Sequence, residues 1–598
     1  MHSILIVRVL LRYSCNQLYF FRKEVTILLV SINNPIARLE ENTRNFAAKR
    51  ISQEEYENYL QFSNGSQPFL IGEKLIYRLV KKSTKTSTEY FILPICTNCE
   101  IITSLQDITT NQRMYKIKLY NGETSRIVVF DSNIISTNGC QQLLNFGCIF
   151  DDNNIKYLVE YLSLSAINAP IEIVHSKLGW YNNELFLSGN SYSKRNIKSI
   201  YVGEINISSH GSLDKYLEMI KEEIIDNTAL FFGLLIGFSS MLLGFLNQHI
   251  DLGNLLFNYC GNSSKGKTTI AMLATSVFSK PLINNGLMIT FNSTSNAIVQ
   301  FISNANSHTI AIDEVATSEI KHFRKLLYQI CSGAERMRLD TNGNMKPVRY
   351  FNSAIITTAE FNIIDDSAPD GLRTRIFEID GNLTTSAENS NKIKKTIIEN
   401  YGVAGEKYAK YLFSNKTPVL ISDYFSTLQE LKNVYDEKEY TKFSLTDRIL
   451  SKLTVILQTA KYFEECFEIV CNYNELIDYV INIERSIGTD SDISEKALEY
   501  ILQYVSRHRN RFVDSNEESS FAVEGKITKK ANYKEIAILK EIVEDVLKCK
   551  GFENPKLLYQ KWSESKILIS EKDRKYKRIR LTKGGEIQPC FVFKIIDL

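Results

Sequence analysis

Gly261-Asn262-Ser263-Ser264-Lys265-Gly266-Lys267-Thr268 satisfies the pattern GxxxxGK[ST] at every constrained position. The chain on either side has the patterning that this loop requires. Leu255–Cys260 is an apolar run that reads as a buried strand, and Thr268–Phe278 follows a helical apolar pattern. A loop between a strand end and a helix start turns backbone N–H groups and the positive end of the helix dipole toward phosphate. Gly261, Ser263, Ser264, Lys265, Gly266, Lys267 and Thr268 are therefore candidate nucleotide-binding residues. Lys267 is expected to pair with the β- and γ-phosphates, and the Thr268 hydroxyl to hold Mg2+.

Further along, Thr309-Ile310-Ala311-Ile312-Asp313-Glu314 is a short apolar run ending in two carboxylates, 46 residues after Lys267. Asp313 at a strand end can bind the magnesium through water, and Glu314 can polarise an attacking water as general base. The adjacent glutamate favours hydrolysis over a kinase reaction. Ala354–Thr357 reads as another buried strand, leading into Thr357-Thr358-Ala359-Glu360. A polar residue there can reach both the γ-phosphate and the attacking water. Arg373 and Arg375 precede a fifth strand, Ile376–Ile379. An arginine at such an edge can neutralise transition-state charge at a neighbouring subunit's γ-phosphate, or it can be a solvated salt-bridging residue.

Two basic features flank this core. Arg336-Met337-Arg338-Leu339-Asp340 and Met345-Lys346-Pro347-Val348-Arg349-Tyr350 alternate around Asn342-Gly343, which predicts a β-hairpin. Arg336, Arg338, Lys346 and Arg349 against Asp340 give it a net charge of +3. The hairpin is either a contact for nucleic-acid phosphates or an ordinary solvated one. Residues 566–583 carry a net charge of +6, with Arg578 and Arg580 among the cations. Helices near 534–548 and 554–564, followed by two strands around Lys583-Gly584-Gly585, predict a winged helix that contacts duplex DNA or protein.

The whole chain has 598 residues, with 44% hydrophobic and 23% charged, which excludes disorder as the main state. With 71 Lys and Arg against 68 Asp and Glu, any nucleic-acid surface must be a local patch. Eleven cysteines, an odd number, do not form a secreted disulfide framework, so a cytoplasmic location is expected. Cys96 and Cys99 form a CxxC with Cys140 and Cys148 as partners for zinc. The second pair has the wrong spacing for a zinc ribbon, and free thiols are the expectation. Charges interrupt residues 4–30, but Thr228–Leu246 is 19 residues without a charge, long enough to cross a bilayer. With a phosphate-binding strand about ten residues further on, a buried core helix is expected and a membrane is not. The predicted organisation is a poorly assigned segment 1–69, a β-rich domain 70–205 and an ATPase core 206–385. A helical lid and bundle (386–512), an exposed linker (513–532) and a winged-helix-like domain (533–598) complete it. Met114–Tyr120 and Arg126–Phe130 flank Asn121-Gly122, a hairpin signal.

Taken in order, these elements resemble a family of P-loop ATPases of phages and mobile elements that includes the self-loading, MCM-like helicases of staphylococcal cassette chromosomes. The resemblance spans roughly 90–380. It rests on Leu178-Gly179-Trp180, the loop Gly261–Thr269, Phe291-Asn292-Ser293-Thr294-Ser295-Asn296, Asp313-Glu314 and Thr358-Ala359-Glu360. It implies an α/β P-loop ATPase of the AAA+ class, with a β-rich N-terminal domain, a helical lid, a pore-lining hairpin and a C-terminal winged helix. It also implies a homo-hexamer using ATP and Mg2+ to translocate on single-stranded DNA, and duplex DNA as a further partner. A primase, polymerase or single-strand-binding protein of the same element would be its protein partners. By analogy Arg375 takes the finger position, Thr358 resembles sensor 1, Thr269 extends the phosphate loop and Arg448 is assigned sensor 2. The alternatives are a non-translocating ATPase switch or loader and a membrane-tethered ATPase.

Overall fold

The computed structural model describes every residue except 1–34, 64–67, 122–123, 316–322, 338, 340–342, 344, 346–347, 365–369, 441, 490–492, 515–521, 553–554, 572–573 and 596–598. The chain divides into two compact units, residues 1–176 and 177–598.

The second unit is organised around a five-stranded sheet: β1 (Leu255–Tyr259), β2 (Met288–Thr290), β3 (Ile310–Asp313), β4 (Ala354–Thr358) and β5 (Ile376–Ile379), in the order β2-β3-β4-β1-β5. Every pairing in it is parallel. All residues of β1, β3 and β4 are buried, which accounts for their near-continuous apolar sequences. Strands β1 and β4 are neighbours whose connections leave in opposite directions. The crevice above their carboxyl ends is where open parallel sheets bind ligands.

The uncharged stretch forms helix α1 (Thr228–Leu246), and 94% of its most apolar window is buried inside the protein. Its glycines explain how it fits. A Cβ at Gly237 would lie 2.6 Å from the Ala274 carbonyl oxygen, and one at Gly233 would lie 2.7 Å from the Ile270 side chain. Both contacts are to α2 (Lys267–Thr275), the helix that follows the phosphate loop. The helix Thr446–Phe467 packs against α1 through Phe463, whose ring lies 5.4 Å from Phe231 and 5.6 Å from Phe238. Trp180, from Leu178-Gly179-Trp180, donates its indole N–H to the Met241 carbonyl at 2.8 Å.

The first unit contains two sheets. One has the strand order Lys49–Ile51, Thr88–Thr97, Leu75–Ser83, Phe69–Ile71. The other runs, within this unit, Ile171–His175, Cys99–Asp107, Arg113–Asn121, Thr124–Asp131. The last two form the expected hairpin, with Asn121 opposite Thr124; Gly122 lies outside the described residues. The unit ends earlier than the expected limit of 205. Leu178, Phe186, Tyr192 and Ile205 belong to the apolar core of the second unit instead.

The C-terminal module also differs from the reading by composition. Residues 513–532 are not simply a linker, because Phe512–Asp514 and Gly525–Lys529 are paired strands. The expected helix at 534–548 is a strand, Lys534–Leu539, followed by a helix, Lys540–Cys549. Helix Ile493–Arg507 belongs here rather than to the lid. Ala497, Ile501 and Val505 share a core with Trp562, Phe591 and Phe593, and Trp562 donates to the Ser494 carbonyl at 2.8 Å.

Candidate functional site

The loop after β1 has the backbone that its glycines predict. Gly261 (φ 108°), Ser264 (φ 69°) and Gly266 (φ 91°) are all in the left-handed region. At Gly266 a Cβ would also lie 2.6 Å from Thr384, so this position requires glycine for two reasons. The Lys267 ammonium donates to the Gly261 carbonyl and to that of Ala359 at 2.9 Å, placing it between the loop and the end of β4. Lys265 pairs with Asp380 at 2.8 Å, and this contact holds the Asp380 carboxyl below its ordinary range. Ser263 donates to Glu360 at 3.1 Å, and Thr269 and Ser390 share a hydrogen bond of 2.7 Å.

Beside the loop, Thr358 at the end of β4 connects the acidic pair. Its hydroxyl donates to Asp313 Oδ1 at 2.5 Å and accepts the Glu314 backbone N–H at 2.9 Å. Asp313 is buried, whereas Glu314 is exposed and has a left-handed φ of 58°. That turn sends consecutive carboxylates to different places, Asp313 onto Thr358 of the neighbouring strand and Glu314 to the cavity lining. The cavity measures about 830 Å³ and is lined by Ser263–Thr269, Glu314, Thr358 and Glu360. Its far wall, Asn382, Thr384–Ala387, Ser390 and Lys394, comes from the segment leading into helix Ala387–Glu399 and from that helix. Sequence reading missed this wall; its one signal is Ser386, whose side chain caps the helix. A nucleoside triphosphate fits this combination of phosphate loop, acidic pair and polar wall. Thr268 and Asp313 are the residues that could hold its Mg2+.

A buried network supports the same crevice. Asn258 in β1 accepts the Thr357 hydroxyl at 2.9 Å and donates to Glu378 in β5 at 2.5 Å. The other oxygen of Glu378 accepts the backbone N–H groups of Ile363 and Ile364, at 2.8 and 3.1 Å. Burial pushes the Glu378 carboxyl up to about 7 despite these donors.

Arg375 is not part of this cavity. It immediately precedes β5, and its carbonyl accepts the Leu256 N–H near the start of β1, at the opposite end of the sheet from the Gly261–Thr268 loop. Its guanidinium donates to the Gly371 carbonyl at 3.1 Å. Buried Lys452 lies beside it and donates to the Leu252 carbonyl. Burial, and then the Arg375 charge, bring the Lys452 ammonium down to about 8. Arg448 adds to that depression, so it belongs to this cationic end and does not line the cavity beside the Gly261–Thr268 loop. Arg373 is buried and borders a second cavity, of about 510 Å³, with Glu378 and Asp380.

Among the described residues of 334–350, two bridges agree with the expected hairpin. Ala334 pairs with Tyr350 and Leu339 with Met345, both antiparallel and in one register. Arg336 and Arg349 are exposed, with Arg349 donating to Asn304 at 3.2 Å; Arg338 and Lys346 lie outside the described residues. Met337, Leu339, Met345 and Tyr350 are each more than 60% exposed, an apolar character that charge counting overlooked. In the C-terminal module Arg578 and Arg580 alternate with Ile579 on strand Lys577–Arg580 and are both exposed.

The architecture is thus an α/β chain with the Gly261–Thr268 loop at the centre of a parallel sheet and a separate helical and β module at its C-terminal end. Residues 69–350 match the family model described as a domain of unknown function, DUF927, and residues 492–597 match the Cch helix-turn-helix domain. Among solved structures, the chain has the fold of a protein described as the active helicase Cch of SCCmec type IV. The TM-score is 0.72 at 22% identity, covering 90% of this chain and 98% of that one. A second match, the apo C-terminal region of NrS-1, covers 64% of this chain and 91% of that one at 13% identity and a TM-score of 0.23, and carries no argument. No curated protein matches the chain.

Proposed function

We propose that this chain is an ATP-dependent DNA helicase of the AAA+ class, working as a hexamer that translocates on single-stranded DNA during replication of a mobile element. The observation that carries the reading is the position of Thr358, hydrogen-bonded to Asp313 and to the Glu314 backbone in the cavity that also holds Lys267. The strand order β2-β3-β4-β1-β5 supports the AAA+ assignment, and the fold shared with the Cch helicase supports unwinding. Bound Mg2+ would supply charge neutralisation on the phosphates. Lys267 and the loop N–H groups then bind the β- and γ-phosphates, Glu314 takes the proton of the attacking water, and Thr358 fixes where Glu314 stands.

Arg375, at the other end of the sheet, is assigned to the neighbouring subunit's γ-phosphate, which makes the site a property of the assembly. The segment 334–350, through Arg336 and Arg349, and the Arg578–Arg580 strand are the proposed contacts for single-stranded and duplex DNA, with Arg338 and Lys346 as further candidates. A cytoplasmic setting fits cysteines that, among the described residues, form no disulfide and are mostly buried. Strand displacement on a forked duplex, with and without ATP, tests the proposal. ATP hydrolysis without displacement would instead identify a DNA-binding switch or loader.

A further inference from the structure

Four cysteines from three stretches of the first unit converge in one apolar cluster: Cys96, Cys99, Cys140 and Cys148. Cys96 lies near the end of strand Thr88–Thr97, and Cys99 begins the next strand, Cys99–Asp107, which belongs to the other sheet. Cys140 ends a short helix, Thr137–Cys140. Cys148 opens a segment that runs antiparallel beside the CxxC. Phe150 bridges to Cys96, Thr97 N–H donates to the Ile149 carbonyl at 2.8 Å, and Ile149 N–H donates to the Thr97 hydroxyl at 2.9 Å.

The sulfurs of Cys96, Cys99 and Cys148 all lie within 4.8 Å of one another, and all three residues are buried. Cys96 Sγ and Cys99 Sγ are 3.8 Å apart. That is far beyond a disulfide bond, which is about 2.05 Å. It equals the edge of a tetrahedron whose centre is about 2.3 Å from each corner, the Zn–S distance. Cys140 Sγ lies outside this trio, in the same apolar core, and donates to the Ile134 carbonyl at 3.2 Å.

We propose that Cys96, Cys99 and Cys148 bind one structural zinc ion that fastens the 140–150 segment to the junction of the two sheets, with the Cys140 thiol turning from the Ile134 carbonyl to complete the set. The chemistry favours this over four small apolar residues. A CxxC turn presents two sulfurs at ligand spacing, and soft thiolates select zinc in a reducing compartment. A four-thiolate set leaves no open position for water, so the ion is structural and not catalytic. The irregular Cys140–Cys148 spacing, which does not fit a ribbon, is accommodated because the two residues come from a helix end and a turn instead of a second knuckle.

The test is metal analysis of the full-length chain, purified without added metal or chelator. The expected result is about one zinc per chain, released when an organomercurial titrates the thiols. Cys96→Ser and Cys148→Ser should lose the ion, and Cys140→Ser should bind it more weakly. Cys549→Ser, at an exposed cysteine, should retain it fully. Full zinc in Cys140→Ser would overturn the four-thiolate set. If the serine variants do not fold, cobalt(II) exchange into the wild-type chain decides the question. Thiolate-to-cobalt charge-transfer and tetrahedral d–d bands are expected. A chain that is zinc-free and gives no such bands would overturn the proposal.

Discussion

Thr358 and Asp313 are joined by a 2.5 Å hydrogen bond across adjacent parallel strands, and the same hydroxyl receives the backbone N–H of Glu314. One side chain therefore fixes the Asp313 carboxylate and the Glu314 backbone relative to the Gly261–Thr268 loop. A hydrogen bond to a charged group contributes about 1.5–3 kcal/mol, or roughly 10- to 150-fold in rate when expressed at the transition state. Thr358→Val should lower kcat by that factor with ATP affinity nearly unchanged, and Thr358→Ser should recover most of it. Steady-state ATPase with parallel nucleotide titration checks this.

Lys267 and Glu314 should separate binding from chemistry. Lys267→Ala is expected to abolish nucleotide binding. Glu314→Gln should bind ATP normally and lose about 10²–10⁴-fold in turnover, because the water-activating carboxylate is neutralised. Equal loss of ATP binding in both variants would remove Glu314 from the general-base role.

Arg375 lies at the opposite end of the sheet from the phosphate loop, so its proposed action is on a neighbour. Arg375→Ala should cost about 10³–10⁵ in turnover. Mixed with Lys267→Ala subunits it should regain part of the activity, since one interface then has both intact halves. No recovery at any ratio, with assembly confirmed, would sink the assignment.

Glu378 gives a pH signature. Its carboxyl is raised in the folded chain to about 7 from an ordinary 4.5. The native state therefore holds the proton more tightly than the unfolded one. The associated stability is fully present below about pH 4.5 and is lost as pH rises through about 7, amounting to roughly 3 kcal/mol at 1.36 kcal/mol per pH unit. Melting temperatures measured from pH 5 to 8 should fall with this slope, and Glu378→Gln should flatten it.

Arg578 and Arg580 are exposed on one strand. If both neutralise phosphates, replacing them with Ala should reduce the slope of log affinity for duplex DNA against log salt by up to about two. An unchanged slope would make this strand a protein contact.

The core was legible in the sequence because its signals are local. The phosphate loop, the acidic pair and three fully buried strands each announce themselves within ten residues. Features assembled from distant segments were not. The wall of Asn382, Thr384 and Lys394 carries no motif, and it acquires meaning only when the segment after β5 folds over the loop. Lys534–Leu539 has no strict alternation and runs straight into an amphipathic helix, so the whole stretch reads as helical until pairing with Ile587–Ile595 makes it a strand. Helix Ile493–Arg507 has the periodicity expected of it. Nothing in that period says that its apolar face meets Trp562 and not the lid.

Helix α1 also has a consequence for how the chain must be made. Its apolar surface is closed on one side by α2, which follows soon after, but on another by the helix ending at Phe467, about 220 residues later. At a synthesis rate of roughly 5–20 residues per second, the finished helix waits some 10–45 s for that wall. For that time the nascent chain displays a segment as apolar as a membrane span, within reach of whatever recognises such segments at the ribosome exit. Production of this protein in foreign hosts should therefore depend on translation speed and on trigger-type chaperones more than its folded stability would suggest.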